Sequence, residues 1–141
     1  MLLARHTYGP PVWALLGGTA LPDEAPDVAA RREVEEESGL QVTTDRLVAI
    51  CDVGHLMIFI FVGKVVSGTE RPQPDEIAEL HWFGQDEVGH EPVFNVVPLL
   101  VAALGQSRDR LEPGLSLEMV PWPDGTPHPV FMVARRHVAD T

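Results

Sequence analysis

Residues 18–40, which read GTALPDEAPDVAARREVEEESGL, carry the strongest structural signal in this 141-residue chain. A helix is predicted from Pro26 to Ser38, because proline suits the first helical position and Gly39 can adopt the left-handed conformation that ends many helices. Ala25 stands where a Ser, Thr or Asp cap is usual. The sequence therefore predicts a helix with a clear end and a weakly capped start.

The second half of this helix is strongly acidic. At about 100° per residue, Glu33, Glu36 and Glu37 fall on one face, whereas Glu35 points nearly opposite. Carboxylates that share a face repel, and the helix dipole disfavours negative charge near the C-terminal end. A divalent cation with oxygen ligands, Mg²⁺ or Mn²⁺, would relieve that repulsion. For the glutamate run alone, a solvated acidic surface is the more common alternative.

The spacing across the whole stretch favours the metal site. It reads Gly18-x5-Glu24-x7-Arg32-Glu33-Val34-x-Glu36-Glu37-x-Gly39-Leu40. This pattern satisfies every fixed position of the Nudix box, so the chain resembles the Nudix hydrolase family. Weaker similarity extends from Leu2 to about Val88. The resemblance implies an α/β fold, a Nudix-type α/β/α sandwich with a mixed sheet. It also implies hydrolysis of a nucleoside diphosphate linked to another moiety.

The resemblance also implies roles for individual residues. Glu36 and Glu37 are expected to be the main metal ligands, with Glu33 as a further ligand or as the group that orients the attacking water. Arg32 is expected to hold Glu33 by a charge-assisted hydrogen bond, a surface salt bridge being the alternative. Gly17, the first of two adjacent glycines, is expected to let a backbone carbonyl approach the metal. The cation, Mg²⁺ or Mn²⁺, would neutralise phosphate charge and activate water.

Two glutamates outside the helix are further candidates. Glu24 matches the box glutamate before the helix and is expected either in the outer shell of the metal or as a solvated loop acid. Glu76 lies where many relatives carry a glutamate that binds metal or acts as general base. A solvent-facing loop acid is an equally open interpretation of Glu76, and Glu79 is its local competitor.

Composition restricts the partners. The chain has 21 acidic and 10 basic residues, a formal charge of −11, and one cysteine. Phosphate backbones bind lysine and arginine, so polymeric nucleic acid is not expected as a partner of this acidic chain. A small nucleotide-like substrate is what the resemblance implies. No apolar run approaches the roughly 18–20 residues of a membrane span, and no secretory signal is visible. A single cysteine suits a reducing compartment, so a cytoplasmic location is expected.

The predicted order of elements is β-β-α-β-β-β-α-β in a single domain, 1–141. A second helix is expected at Val93–Leu104. From about residue 112 a Pro-rich extension follows, with a last strand at Val130–Ala134. Only 17 residues precede the box, so the first strand of the fold is expected to be shortened or missing. The tail strand, or the partner in a homodimer, is expected to pair with the sheet edge that this leaves.

The substrate subgroup is not readable from the sequence. The residues that mark ADP-ribose and dinucleoside polyphosphate cleavage are absent around His55 and Leu56. The tail contains Pro121-Trp122-Pro123 but lacks the full array typical of NADH cleavage. A catalytically silent Nudix domain that binds nucleotides as a sensor is the alternative function. The short N-terminal region favours that alternative, whereas the complete carboxylate set argues against it.

Overall fold

The computed structural model describes residues 1–52, 57–84, 87–88 and 130–135. In chain order its elements are β1 (Leu2–His6), β2 (Trp13–Ala14), β3 (Leu16–Gly18), α1 (Pro26–Ser38), β4 (Leu40–Asp52), β5 (Met57–Gly68), β6 (Ile77–Trp82) and β7 (Val130–Arg135). The predicted helix at Val93–Leu104 lies outside the described residues, as does most of the Pro-rich extension. Across the described ranges, no helix is both long and apolar enough to cross a bilayer.

The strands form two sheets, with the orders β2-β1-β6 and β3-β7-β5-β4. The first sheet is antiparallel, whereas the second is mixed because β7 runs parallel to β5 and antiparallel to β3. α1 packs against the mixed sheet, with contacts to β3, β4 and β7. Apolar side chains from both sheets and the helix form the core, among them Leu2, Leu16, Val34, Phe61 and Ile77. The predicted mixed sheet is therefore present.

The ends of α1 follow the sequence prediction. Ala25 is extended and provides no side-chain cap, and Pro26 begins the helix. Gly39 ends the helix with φ 72°, and its N–H donates to the Glu35 carbonyl at 2.8 Å. A Cβ at Gly39 would lie 2.6 Å from the Thr69 carbonyl oxygen, so close packing as well as backbone conformation requires glycine. The predicted helix end at Gly39 is therefore confirmed.

The chain changes sheet between Ala14 and Leu16. As a result, β2 pairs with β1 and β3 pairs with β7. Gly17 and Gly18 are buried and belong to β3. The strand continues through them because β7, a distant segment of the chain, provides its backbone partners.

β7 lies in the interior of the mixed sheet. It pairs with β5 from Phe59↔Val130 to Lys64↔Arg135, and with β3 at three positions. Among the described strands, β3 has no neighbour except β7. The tail strand predicted at Val130–Ala134 is present, one residue longer, and it occupies a place beside β3.

Candidate active site

Arg32 lies at the centre of the acidic face of α1. Its Nε and Nη2 donate to the two carboxylate oxygens of Glu24 at 2.9 and 3.0 Å. Nη1 donates to Glu33 at 2.8 Å and to Glu36 at 3.2 Å, and Nη2 also donates to the Thr19 carbonyl at 3.1 Å. These contacts, above all the hydrogen bond to Glu24, raise the pKa of Arg32. One guanidinium thus joins three carboxylates and ties the preceding loop to the helix.

Glu24 is a structural partner of this guanidinium. Besides the two contacts with Arg32, its Oε2 accepts the Leu21 N–H at 2.8 Å. The hydrogen bond from Arg32, followed by the one from Leu21, lowers the pKa of Glu24. Both carboxylate oxygens of Glu24 therefore accept hydrogen bonds within the protein. A metal role for Glu24 stays a prediction.

Glu37 is the buried carboxylate of the site. Its side chain is almost completely enclosed, and its Oε2 accepts the Gly17 N–H at 2.9 Å. Burial raises the pKa of Glu37 well above its ordinary value, and the negative charges of Glu33, Glu76 and Glu36 raise it further. A carboxylate in such a place requires a proton or a cation. The structure shows the amide of Gly17 at the site, whereas the metal contact of its carbonyl stays a prediction.

Glu33 lies against a glycine of β3. A Cβ built on Gly18 would stand 2.5 and 2.6 Å from the two oxygens of the Glu33 carboxylate, so only glycine leaves room for it. The Glu33 side chain is 14% exposed. Burial raises the pKa of Glu33, although the hydrogen bond from Arg32 opposes that effect. The sequence places Gly18 in the box but does not reveal this packing role.

Glu76 is the acid outside the helix that the fold brings to this site. It precedes β6, and its negative charge contributes to the raised pKa of both Glu33 and Glu37. Glu79, its local competitor, forms an ion pair with Arg5 on the neighbouring strand β1. The structure therefore associates Glu76 with the acidic face and gives Glu79 another partner.

The donor set suits a hard divalent cation. Carboxylate oxygens are the ligands that Mg²⁺ and Mn²⁺ prefer, and the enclosed charges of Glu33 and Glu37 call for neutralisation. Within the described ranges, no three acidic, histidine or cysteine side chains are already gathered in a closed ligand set. Arg32 instead bridges Glu33 and the more exposed Glu36. The oxygen ligands of these carboxylates therefore suit Mg²⁺ or Mn²⁺.

A cavity of about 260 Å³ adjoins the acidic face at the C-terminal end of α1. Its described lining consists of Glu35, Glu36, Gly39, Arg71, Pro72, Gln73 and Pro74. Backbone hydrogen bonds from Arg71 to Ser38 (2.7 Å) and from Gln73 to Glu37 (3.1 Å) attach this loop to the helix. Arg71 and Glu36 thus line the same cavity, an arrangement that no feature of the local sequence indicates.

Comparison with known proteins gives consistent matches. The family model "NUDIX domain" matches residues 1–100. The NAD-capped RNA hydrolase NudC of Stutzerimonas stutzeri is 31% identical over 91 residues, which are 62% of this chain and 33% of that protein. The NAD-capped RNA hydrolase NUDT12 of Pongo abelii is 34% identical over 107 residues, which are 69% of this chain and 23% of that protein. The chain thus spans a third or less of these two relatives.

Among solved structures, the MutT NUDIX hydrolase from Burkholderia pseudomallei is similar, with a TM-score of 0.61 and 25% identity. The match covers 73% of this chain and 86% of that one. The α/β/α sandwich expected from the sequence is therefore confirmed as the fold class.

Proposed function

This chain belongs to the NUDIX domain family, and from that premise we propose that it is a divalent-metal-dependent pyrophosphohydrolase. Its substrate would be a nucleoside diphosphate linked to another moiety, cleaved at a phosphoanhydride bond. The observation that carries the proposal is the seating of two carboxylates on β3. Glu37 accepts the amide of Gly17, and Glu33 lies against Gly18 while Arg32 holds it.

Each residue of the site has a distinct task in this proposal. Glu33, Glu36 and Glu37 would hold the cation, which when bound neutralises phosphate charge and makes water a better nucleophile. The Gly17 amide orients the buried Glu37, and Arg32 orients Glu33. Glu36 is the most exposed of the three, with 55% of its side chain accessible, so it is the ligand able to leave Arg32 for the incoming ion.

We assign the general base to Glu76. A base must lie within hydrogen-bond reach of the water that attacks phosphorus and must be free to accept a proton. Glu33 already accepts a hydrogen bond from Arg32 at one carboxylate oxygen, so that oxygen is less available to the attacking water. Glu76 is exposed, and among the described residues it forms no ion pair. The negative charge of Glu76 raises the pKa of Glu33 and of Glu37, which supports a place for Glu76 near the reacting groups.

The first substrate to test is a dinucleotide of the NAD type. Two relatives are named NAD-capped RNA hydrolases, which favours a pyrophosphate between two nucleosides. The formal charge of −11 disfavours contacts along an RNA backbone, so free NADH ranks above capped RNA. The tail residues Pro121-Trp122-Pro123, which are only part of the array typical of NADH cleavage, lie outside the described ranges.

The cavity beside Glu36 offers a place for the part of the substrate beyond the cleaved bond. Arg71 is the cation of its described lining and would contact a phosphate oxygen there. Arg71→Ala should then raise KM more than it lowers kcat. Arg31→Ala is the matched control, because Arg31 pairs with Asp27 on the same helix. An equal effect of both variants would contradict the assignment.

The deciding experiment measures hydrolysis of NADH, ADP-ribose, a UDP-sugar, nucleoside triphosphates and a short NAD-capped RNA with Mg²⁺ or Mn²⁺. Glu36→Gln should lower kcat/KM by at least about a hundredfold. Glu79→Gln is the matched control, because Glu79 is exposed, forms an ion pair with Arg5 and does not line the cavity, and it should stay within about twofold of the parent. Undiminished turnover in Glu36→Gln would refute the metal assignment. Metal-dependent nucleotide binding without turnover of any substrate would support the silent domain.

Three further expectations from the sequence also stay predictions. A single domain over 1–141 is one of them, because residues 89–129 lie outside the described ranges. The homodimer and the cytoplasmic location are the others.

A further inference from the structure

The mixed sheet contains an interior strand that comes from far along the chain. β7 separates β3 from β5, and it reaches that place only after residues 89–129. Six residue pairs join it to β5 and three join it to β3. If β7 left, the facing N–H and C=O groups of both neighbours would lose their partners.

This strand lies directly behind the candidate active site. Gly17 pairs with Phe131 and Gly18 pairs with Val130. The Gly17 N–H is not used by β7, because it donates to the carboxylate of Glu37 on the helix. β3 is thus held from two sides, by β7 within the sheet and by the helix across its free edge. Since β3 has no other strand neighbour in the described part of the chain, its position depends on β7.

The gap between β3 and β5 is a strand-binding groove that the chain's own segment 130–135 fills, and we propose that this filling is required for the metal site. Occupation of the groove by this segment sets the position of Gly17 and Gly18 and thereby assembles the metal site. The segment reads VFMVAR, rich in residues that favour extended backbone. Addition of an extended segment to strand edges is a known mode of peptide recognition. The part that concerns metal binding rests on the proposed function.

Hydrogen–deuterium exchange of the unmodified full chain tests the groove without reference to metal or hydrolysis. If segment 130–135 fills the groove, its amides should be protected together with those of β5 and should exchange at similar rates. Rapid exchange of residues 130–135 beside a protected β5 would overturn the proposal.

A substitution in the full chain tests the link to the metal site. Phe131→Pro removes a backbone N–H from the strand, whereas the control Phe131→Val keeps the N–H and the extended preference. Phe131→Pro should weaken Mn²⁺ binding, measured by calorimetry, about tenfold or more, and the control should stay within about twofold. A synthetic peptide of residues 128–137 should restore binding in Phe131→Pro.

The possible outcomes separate the two proposals. Unchanged Mn²⁺ affinity in a folded Phe131→Pro would overturn the link between the strand and the site. If that variant does not fold, the exchange rates of the unmodified chain decide on their own. If the unmodified chain binds no Mn²⁺, the proposed function fails, and the exchange experiment still decides the groove.

Discussion

Replacing Gly18 by alanine tests how much the site depends on one carboxylate position. The new Cβ would lie 2.5 Å from Oε1 of Glu33, whereas real Cβ atoms essentially never approach closer than 3.0 Å. Cδ of Glu33 would lie closer still, at 2.4 Å, so the carboxylate must retreat by at least 0.6 Å, and by 1.0 Å to reach the 3.4 Å of ordinary contact. Gly18 has no positive φ, so alanine fits the backbone itself. The clash falls only on the far end of a flexible side chain.

The two consequences differ in size. Stability should fall by no more than about 1 kcal/mol, the value of one hydrogen bond, because only the contact between Arg32 and Glu33 is disturbed. Catalysis should fall much further, since misplacing a reacting group by about 1 Å costs roughly a hundredfold in rate. Gly18→Ala should therefore keep its melting temperature within a few degrees while kcat falls about 10- to 100-fold.

The assay compares steady-state hydrolysis with thermal unfolding for the same preparations. Gly84→Ala is the matched control, because a Cβ there would lie 3.3 Å from a carboxylate oxygen of Glu87, away from the site. Shortening the acid in Gly18→Ala/Glu33→Asp relieves the clash and should recover part of the lost rate. If Gly18→Ala hydrolyses substrate and binds Mn²⁺ as the parent does, the precise seating of Glu33 is not needed, and the reasoning is refuted.

Three further predictions concern the other acids and the guanidinium. Burial raises the folded-state pKa of Glu37 above 4.5, so the ion-free protein should lose stability as pH rises from 4.5 through that raised pKa. Mg²⁺ should oppose this loss of stability. Glu37→Gln should make the melting temperature depend less on pH. An equally steep dependence on pH in that variant would contradict the burial argument. Lysine in Arg32→Lys cannot form the two hydrogen bonds that Arg32 donates to Glu24. The free energy of unfolding, measured in urea, should therefore fall by about 1–2 kcal/mol. An unchanged unfolding midpoint would count against this contact. Glu76→Gln should lower kcat about a hundredfold with Mn²⁺ affinity nearly unchanged, while the control Glu79→Gln should not; equal losses in both would remove the general-base assignment.

Features determined by near neighbours in the chain could be predicted from sequence. Pro26 and Gly39 place both ends of α1, because the constraints that they impose are local. The angular spacing of helical residues separates exposed Glu35 from buried Glu37. Arg32 lies next to Glu33 in sequence, and the hydrogen bond predicted between them is present at 2.8 Å.

Features that depend on distant segments could not be read in this way. β3 extends through two glycines because β7 pairs with it. The contact between Glu24 and Arg32 spans eight positions and requires the loop before the helix to fold back. The cavity beside Arg71 forms only when the loop after β5 is attached to the helix end. Helical and strand periodicities contain no information about such pairings.

The interior position of β7 also has a consequence for the order of folding. Leu16 and Met132 are paired although 116 positions separate them. During synthesis β3 and β5 emerge well before the strand that lies between them, and non-local pairing of this kind slows folding. Until β7 arrives, two strand edges are open to other chains. We expect the nascent chain to pass through an aggregation-prone stage and to benefit from a chaperone that shields these edges.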